Sequence, residues 1–234
     1  MFYRLSNTAK RGKIEKEFGT PFKYPRIYQP RSVIDGLSEE SLPVITQESP
    51  EYIQNSIWGL LPDKFREDWH LFQNSLNTLN LRHELIEEVG WLRECLANKR
   101  CLIIANGYFT MHHYDGELYP YYIYRRDKKP FAIAGIYNML DDGFLTCSLL
   151  VGTASPMLRQ IQNLDNGMPV ILGPDERSVW LGRADSNGLQ HLLSHPGSPE
   201  LVAHPIAREL YNRNICYESM LDPVHYKNLP IPLT

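Results

Sequence analysis

The sequence predicts an α+β fold, and three patterns carry that reading. Residues 100–152 hold four runs rich in β-branched and aromatic residues, CLIIANGYF, LYPYYIYRR, PFAIAGIYNM and FLTCSLLVG, separated by the turn-like YDGE, RDKK and LDDG. Successive strands joined by such short turns pair antiparallel. Leu85, Val89, Leu92 and Leu96 recur at the spacing of one amphipathic helix face. Strands and helices do not alternate along the chain as a doubly wound sheet requires, and no internal repeat appears.

Element by element, the polar opening predicts a helix over residues 8–18, capped by Asn7 and stopped by Gly19. Its Lys10, Arg11, Lys13 and Lys16 form a basic stripe, read either as a solvated face or as a nucleic-acid contact. Pro21, Pro25 and Pro30 then exclude a regular helix and favour extended chain, with interleaved apolar residues that pack it down. Residues 42–46 and 52–60 read as strands. The helix of the Leu85 stripe has Glu84, Glu87 and Glu88 in its first turn and Arg93, Lys99 and Arg100 toward its end, an order that suits the helix dipole. Residues 155–161 predict a short helix, 168–172 a strand, and 174–181 a helix begun by proline. The tail from about residue 186, rich in Pro, His and Asn, alternates short elements with loops. The whole, residues 1–234, is expected to be a single domain.

With 234 residues, of which 43% are apolar, the chain fills a sizeable core. Its formal net charge of -3 supplies no global basic field, so any nucleic-acid contact must be a local patch. The widely spaced Cys95, Cys101, Cys147 and Cys216 contain no C-x-x-C and read as core thiols in a reducing cytoplasm. No apolar run reaches the roughly 20 residues that span a bilayer, and none at the N-terminus has the make-up of a signal peptide. Phosphate-binding glycine loops and the serine-hydrolase Gly-x-Ser-x-Gly are absent, and no His, Cys or carboxylate set has metal-ligand spacing, the His112-His113 and His191, His195 pairs included. No metal, cofactor or nucleotide is expected.

Six segments in order give the chain a family likeness: Trp58-Gly59-Leu60-Leu61-Pro62, Asn80-Leu81-Arg82-His83-Glu84, the run from Arg100 to Phe109, Pro130 to Gly135, Thr153-Ala154, and Met168-Pro169-Val170-Ile171-Leu172. In these the chain resembles the SOS response-associated peptidase (SRAP) family, proteins that capture abasic sites in single-stranded DNA. The resemblance implies a barrel-like, mostly antiparallel sheet with flanking helices. It also implies a covalent mechanism: an N-terminal cysteine, exposed by removal of the initiator methionine, joins its α-amine and thiol to the abasic aldehyde as a thiazolidine. A neighbouring Glu and His move the protons, a contribution of roughly 10² to 10⁴ in rate.

Carried over by position, the likeness is uneven. The family's Asn-x-Arg-x-Glu is kept as Asn80, Arg82 and Glu84 and the arginine two residues after its cysteine as Arg4; in the family an Asn and an Arg place the DNA. Phe2 stands where the family has its cysteine, Thr110 where it has the glutamate, and Gln162 where it has the histidine. Phenylalanine has no thiol, threonine does not titrate near neutral pH, and glutamine hydrogen-bonds without exchanging a proton. A residue as large as Phe2 also disfavours excision of Met1.

The expectation is therefore a DNA-damage-associated protein whose partner is single-stranded DNA, with or without abasic sites, bound through Arg4, Asn80 and Arg82 without a covalent bond. The alternatives are an enzyme using the Met1 amine alone, whose pKa near ~8 leaves a neutral fraction at physiological pH, and a module that binds a protein or small molecule in the emptied cleft. Trp58 reads as a core aromatic or a base-stacking platform. Glu84 is a candidate ion-pair partner for Arg4 or Arg82. His83 and the pair His112 and His113 are candidate site residues beside the motif positions.

Overall fold

The structure, a computed structural model, describes residues 2–182, 186–194, 200–212 and 217–229; Met1, His195 and Cys216 lie outside the described residues. The chain opens with strand β1 (Arg4–Asn7), so Asn7 is a strand residue and not a helix cap. Helix α1 (Arg11–Phe18) starts three residues later than predicted, at an N-cap Lys10 whose side chain makes no capping bond, and ends at Gly19 with φ 66°. Strand β2 (Arg31–Asp35) follows the proline-punctuated stretch, in which Phe22 is buried but Tyr24 and Ile27 stay exposed. Strands β3 (Ser41–Thr46) and β4 (Gln54–Trp58) lie where residues 42–46 and 52–60 predicted them.

Helix α2 (Trp69–Ser75) and the short strand β5 (Asn80–Arg82) precede the Leu85 stripe. That stripe forms two helices, α3 (His83–Glu88) and α4 (Gly90–Asn98), because Val89 between them is extended at φ -108°, ψ 109°. Leu85, Val89, Leu92 and Leu96 still pack into one cluster, so the apolar spacing reports the shared face and not the continuity of the helix.

The predicted strands follow as β6 (Arg100–Ala105), β7 (Gly107–Tyr114), β8 (Glu117–Arg125), β9 (Phe131–Met139) and β10 (Leu145–Thr153). Helix α5 (Pro156–Ile161) is capped by the Ser155 hydroxyl, strands β11 (Gly167–Pro169) and β12 (Ile171–Leu172) divide the predicted 168–172 strand, and α6 (Pro174–Leu181) has the predicted bounds. Helix α7 (Ser186–Ser194), strand β13 (Leu201–Pro205) and helix α8 (Glu209–Asn212) make up the tail.

The fold is α+β. Strands β4, β3, β6 and β9 pair antiparallel in that order, β9 pairs antiparallel with β10, and β10 returns parallel to β4, so five strands close into a barrel. Closure requires a tight approach at Gly135, where a Cβ would stand 2.8 Å from Ile103 Cδ1 and 2.9 Å from the Ser148 carbonyl. Alternation along β6 sends Cys101, Ile103 and Ala105 to one cluster and Leu102 and Ile104 to another. The second cluster contains Ile14, Ile86, Leu92, Leu96 and Trp180 from the helices, so it is the outer face and the first is the barrel interior. A second sheet, ordered β13-β8-β7-β1-β2, shares the interior cluster through Leu5, Tyr108, Tyr121 and Ile123. β5 runs parallel to the second half of β10, pairing Asn80 with Leu149 and Arg82 with Val151. This seam between barrel and second sheet is where the motif residues meet.

Among the described residues, no helix is long and apolar enough to cross a membrane.

Candidate functional site

Phe2 precedes β1 and is 2% exposed. Its ring meets Tyr108 edge-on, with centroids 5.3 Å apart and planes at 85°. Asn80 holds its backbone: the Asn80 amide donates to the Phe2 carbonyl at 2.7 Å, and the Asn80 oxygen accepts the Phe2 N–H at 3.3 Å. Asn80 is itself nearly buried, so both bonds are shielded from water. The Tyr108 hydroxyl has no partner among the described residues, and burial pushes its pKa up.

Arg82 lies two residues along β5 from Asn80 and on the same strand face. Its Nη2 pairs with Asp165 Oδ1 at 2.5 Å. It also lies over Gly167, where a Cβ would come within 2.6 Å of the guanidinium, so a larger residue there would push the arginine from its present position. Asp165 accepts the Gly167 N–H at 2.9 Å as well. Burial alone would raise the Asp165 carboxyl, but positive and N–H partners that include Gly167 and Arg82 outweigh it and hold it below the usual range. Arg4 takes a different acid: its Nε and Nη2 donate to Asp35 Oδ2 at 3.2 and 3.1 Å, and its guanidinium lies 4.5 Å from the centre of the Tyr211 ring. Glu84 therefore pairs with neither arginine; it is exposed and lines a cavity of about 280 Å³ beside Arg82 and His83. His83 faces Glu87 across one helical turn at 3.6 Å.

Thr110 sits on β7 two residues after Tyr108 and on the same face, opposite Tyr121. Beside it, the end of β7 is laced to the end of α5. His112 Nδ1 lies 2.7 Å from the Ile161 carbonyl, the His113 N–H donates to Asn163 Oδ1 at 2.8 Å, and Asn163 Nδ2 donates to the His113 carbonyl at 2.7 Å. Because a carbonyl only accepts, Nδ1 of His112 carries the proton and Nε2 keeps its lone pair in the neutral ring. Gln162, at the end of α5, is 2% exposed; its amide donates to the Gly167 carbonyl, while its Oε1 is buried with no partner among the described residues. A cleft of about 340 Å³ opens over this seam, lined by Tyr3, Arg4, Thr110, Met111, Asp165 and Tyr211 among others.

The seam thus gathers Phe2, Asn80, Arg82, Thr110 and Gln162 through direct contacts or shared strand faces, with Arg4 at its rim. Trp58 does not join them. It is fully buried, its indole N–H donates to the Leu79 carbonyl at 2.8 Å, and Gly36 closes over the ring, so no base can stack on it. Sequence reasoning did not single out Asp35, Asp165, Asn163 or Tyr211. The one available signal was the turn-forming Asp165-Asn166-Gly167 inserted before Met168. Among the described residues, no three of His, Cys, Asp or Glu cluster as metal ligands.

Comparison with known proteins agrees with the likeness in the motifs. The profile of the SOS response associated peptidase (SRAP) family matches residues 1–213. The abasic site processing protein YMR114C of Saccharomyces cerevisiae is 29% identical over 148 residues, 62% of this chain and only 39% of the yeast protein. The abasic site processing protein YobE of Bacillus subtilis is 27% identical over 177 residues, 73% of this chain and 78% of its own length. An X-ray structure of a protein from Bacteroides thetaiotaomicron superposes with a TM-score of 0.83 at 26% identity, covering 95% of this chain and all of that one.

Proposed function

The chain belongs to the SOS response associated peptidase family, and on that premise we propose that it recognises single-stranded or abasic-site DNA in the damage response without forming a covalent bond to it. The observation that carries this reading is the clasp of Asn80 on Phe2. The backbone of residue 2 is held beside Tyr108 and the Thr110 face, where the family places its nucleophile, while the side chain there is a phenyl ring. Thr110 supplies no titrating group near neutral pH, and Gln162 spends its amide on the Gly167 carbonyl. Arg4 lines the cleft and pairs with Asp35, and Arg82 pairs with Asp165, which lines the same cleft.

The test is incubation with single-stranded DNA containing one abasic site, comparing the native chain with the triple variant Phe2→Cys, Thr110→Glu, Gln162→His. A denaturation-resistant adduct in the variant alone supports the reading; an adduct of the native chain refutes it.

A second reading, an imine-forming lyase using the Met1 amine, is favoured by one feature: the imidazole of His112, held through Nδ1 by the Ile161 carbonyl, lies two residues from Thr110. Borohydride reduction during incubation would trap its imine, and an untrapped native chain disposes of it. The domain reading is likewise a proposal: residues 1–234 fold as one unit, and limited proteolysis yielding two stable fragments would contradict it.

A further inference from the structure

On the second sheet, away from the Phe2 seam, a cavity of about 580 Å³ lies between the start of α1, the β8 to β9 turn and the tail segment after β13. Its volume is in the range of a small-molecule site, ~300–1,000 Å³. Lys10 and Lys13 enter it from α1 and Lys128 from the turn, against the single carboxylate of Asp222. In a chain of net charge -3 this is a local excess of positive charge. The arrangement is tied together, because Lys13 Nζ donates to the Lys128 carbonyl at 2.8 Å and so joins helix to turn. The neighbouring Lys129 is neutralised by Glu17 and Asp127, whereas no acid among the described residues lies within ion-pair distance of the Lys10, Lys13 or Lys128 ammonium. Helix α1 adds to the field: it has no side-chain cap and no acid in its first turn, so the positive end of its dipole is not offset there.

The wall of the cavity is aromatic. Tyr122 and Tyr124, two apart on β8, stack with centroids 5.2 Å apart and planes at 15°. His204 of β13 stands edge-on to both, at 5.9 and 5.4 Å. The Leu221 carbonyl, 2.8 Å from His204 Nε2, fixes that ring in place, and desolvation holds its pKa below the usual histidine value, so it presents a neutral face. Positive groups converging on one side and flat rings on the other match the two halves of a nucleotide, phosphate and base.

We infer that this cavity is a second nucleic-acid contact, which takes one nucleotide of a single strand with its phosphate on Lys10, Lys13 and Lys128 and its base against Tyr124 and His204. The inference rests on the proposed reading of the chain as a single-strand binder and extends it to a site that Phe2, Asn80, Arg82, Thr110 and Gln162 do not line. Strand β1 connects the two places: Arg4 lines the seam cleft and Thr8 the cavity, ~13 Å apart at the rise of a strand. A single-strand site of about 4–16 nucleotides spans that distance.

The test is binding of a fluorescent twelve-nucleotide single strand, titrated with salt, to the native chain, to Lys10→Gln, Lys13→Gln, Lys128→Gln combined, to Tyr124→Ala, and to Arg82→Ala. All the substituted lysines are exposed, and thermal melting checks that each variant is folded. Losing the one phosphate held by the three lysines lowers the slope of log affinity against log salt by about 0.7, and losing one stacked base weakens binding about tenfold. If Arg82→Ala weakens binding while the lysine and tyrosine variants keep native affinity and slope, the cavity is not a contact and the seam reading stands. If the native chain does not bind the strand at all, the seam reading fails. The cavity is then judged by the 5′-phosphorylated dinucleotide pTpT: movement of the His204 ring signals in the NMR spectrum upholds it, and still signals overturn it too.

Discussion

Asn80 holds the backbone of Phe2 by both its N–H and its carbonyl, although 78 residues separate the two. The pair joins the segment before β1 to β5, which pairs with the barrel strand β10, and both partners are out of water. Replacing Asn80 by alanine strands a buried N–H and a buried carbonyl, each costing ~1–3 kcal/mol. Asn80→Ala is expected to lose about 2–4 kcal/mol in urea unfolding. A loss under ~0.5 kcal/mol, the size of an ordinary surface change, would show that the clasp does not hold the strand.

Phe2 fills the space against Tyr108, so restoring the family's cysteine carries a packing cost. Phe2→Cys removes most of a buried ring, and such truncations cost about 3–5 kcal/mol when the site cannot collapse. Phe2→Leu keeps more volume and is expected to cost less than half as much. Thermal melting of the two single variants measures this directly, and an unshifted Phe2→Cys melt would mean that the ring is not packed as described.

These two residues also show how far the sequence was legible. The strand meander of residues 100–152 and the α6 bounds followed from local patterns, since turn residues and a proline at the helix start act where they stand. The break at Val89 was hidden, because Leu85, Val89, Leu92 and Leu96 keep one apolar face through it. Parallel pairing of β10 with β4 and β5 was equally hidden, being a contact between distant segments. In the site, the motif placed Asn80 and Arg82 together, but the acids that neutralise the arginines come from unrelated segments, Asp35 and Asp165. For Trp58 the core alternative holds and the stacking alternative does not: the residue fills the barrel interior.

If a strand contacts Arg82 as proposed, its phosphate competes with Asp165 for the guanidinium. Any strand that contacts Arg82 must displace or share a carboxylate 2.5 Å away, and that carboxylate repels the strand as well. Because Arg82 is 44% exposed in its side chain, the pair itself is weak, of order 0–1 kcal/mol. Asp165→Asn is therefore expected to tighten single-strand binding by roughly 2–5-fold at low salt, an effect that high salt erases. Weaker binding by this variant would show that Asp165 positions Arg82 for the strand instead of competing with it.

Arg100 ties two helix ends to β6 without a carboxylate. Its guanidinium donates to the carbonyls of Trp180 at 2.7 Å, Leu96 at 2.9 Å, Ala97 at 2.6 Å and Gly182 at 2.6 Å. These are terminal carbonyls of α4 and α6, which lack partners within their helices and carry the negative end of the dipole. Arg100→Met fills similar space but leaves those carbonyls bare, for an expected loss of about 3–5 kcal/mol. Arg100→Lys keeps the charge without the planar fork and should fall between. A lysine variant as stable as the native chain would locate the stabilisation in charge alone.

Alkaline pH should unfold the chain through its buried acids. Burial pushes the Cys95 thiol up to about 11 and the Cys147 thiol to about 12, from 9.0, and it raises Cys101 well above the same value. The phenols of Tyr121, Tyr122 and Tyr211 rise to about 12 from 10.0 by the same cause. Below pH 9 both folded and unfolded chains hold these protons, so the full contribution to stability is present. From pH 9 toward 12 the unfolded chain releases protons that the folded chain keeps, and unfolding becomes easier with each step. The urea midpoint should be level between pH 7 and pH 8.5 and fall steadily above pH 9, reversibly on return to pH 8. In the same experiment Cys95, Cys101 and Cys147 should resist iodoacetamide at pH 8 in the folded chain and react once urea exposes them, since alkylation requires the thiolate. Ready labelling of any of the three in the folded state would contradict the buried, protonated thiols on which the alkaline limb depends.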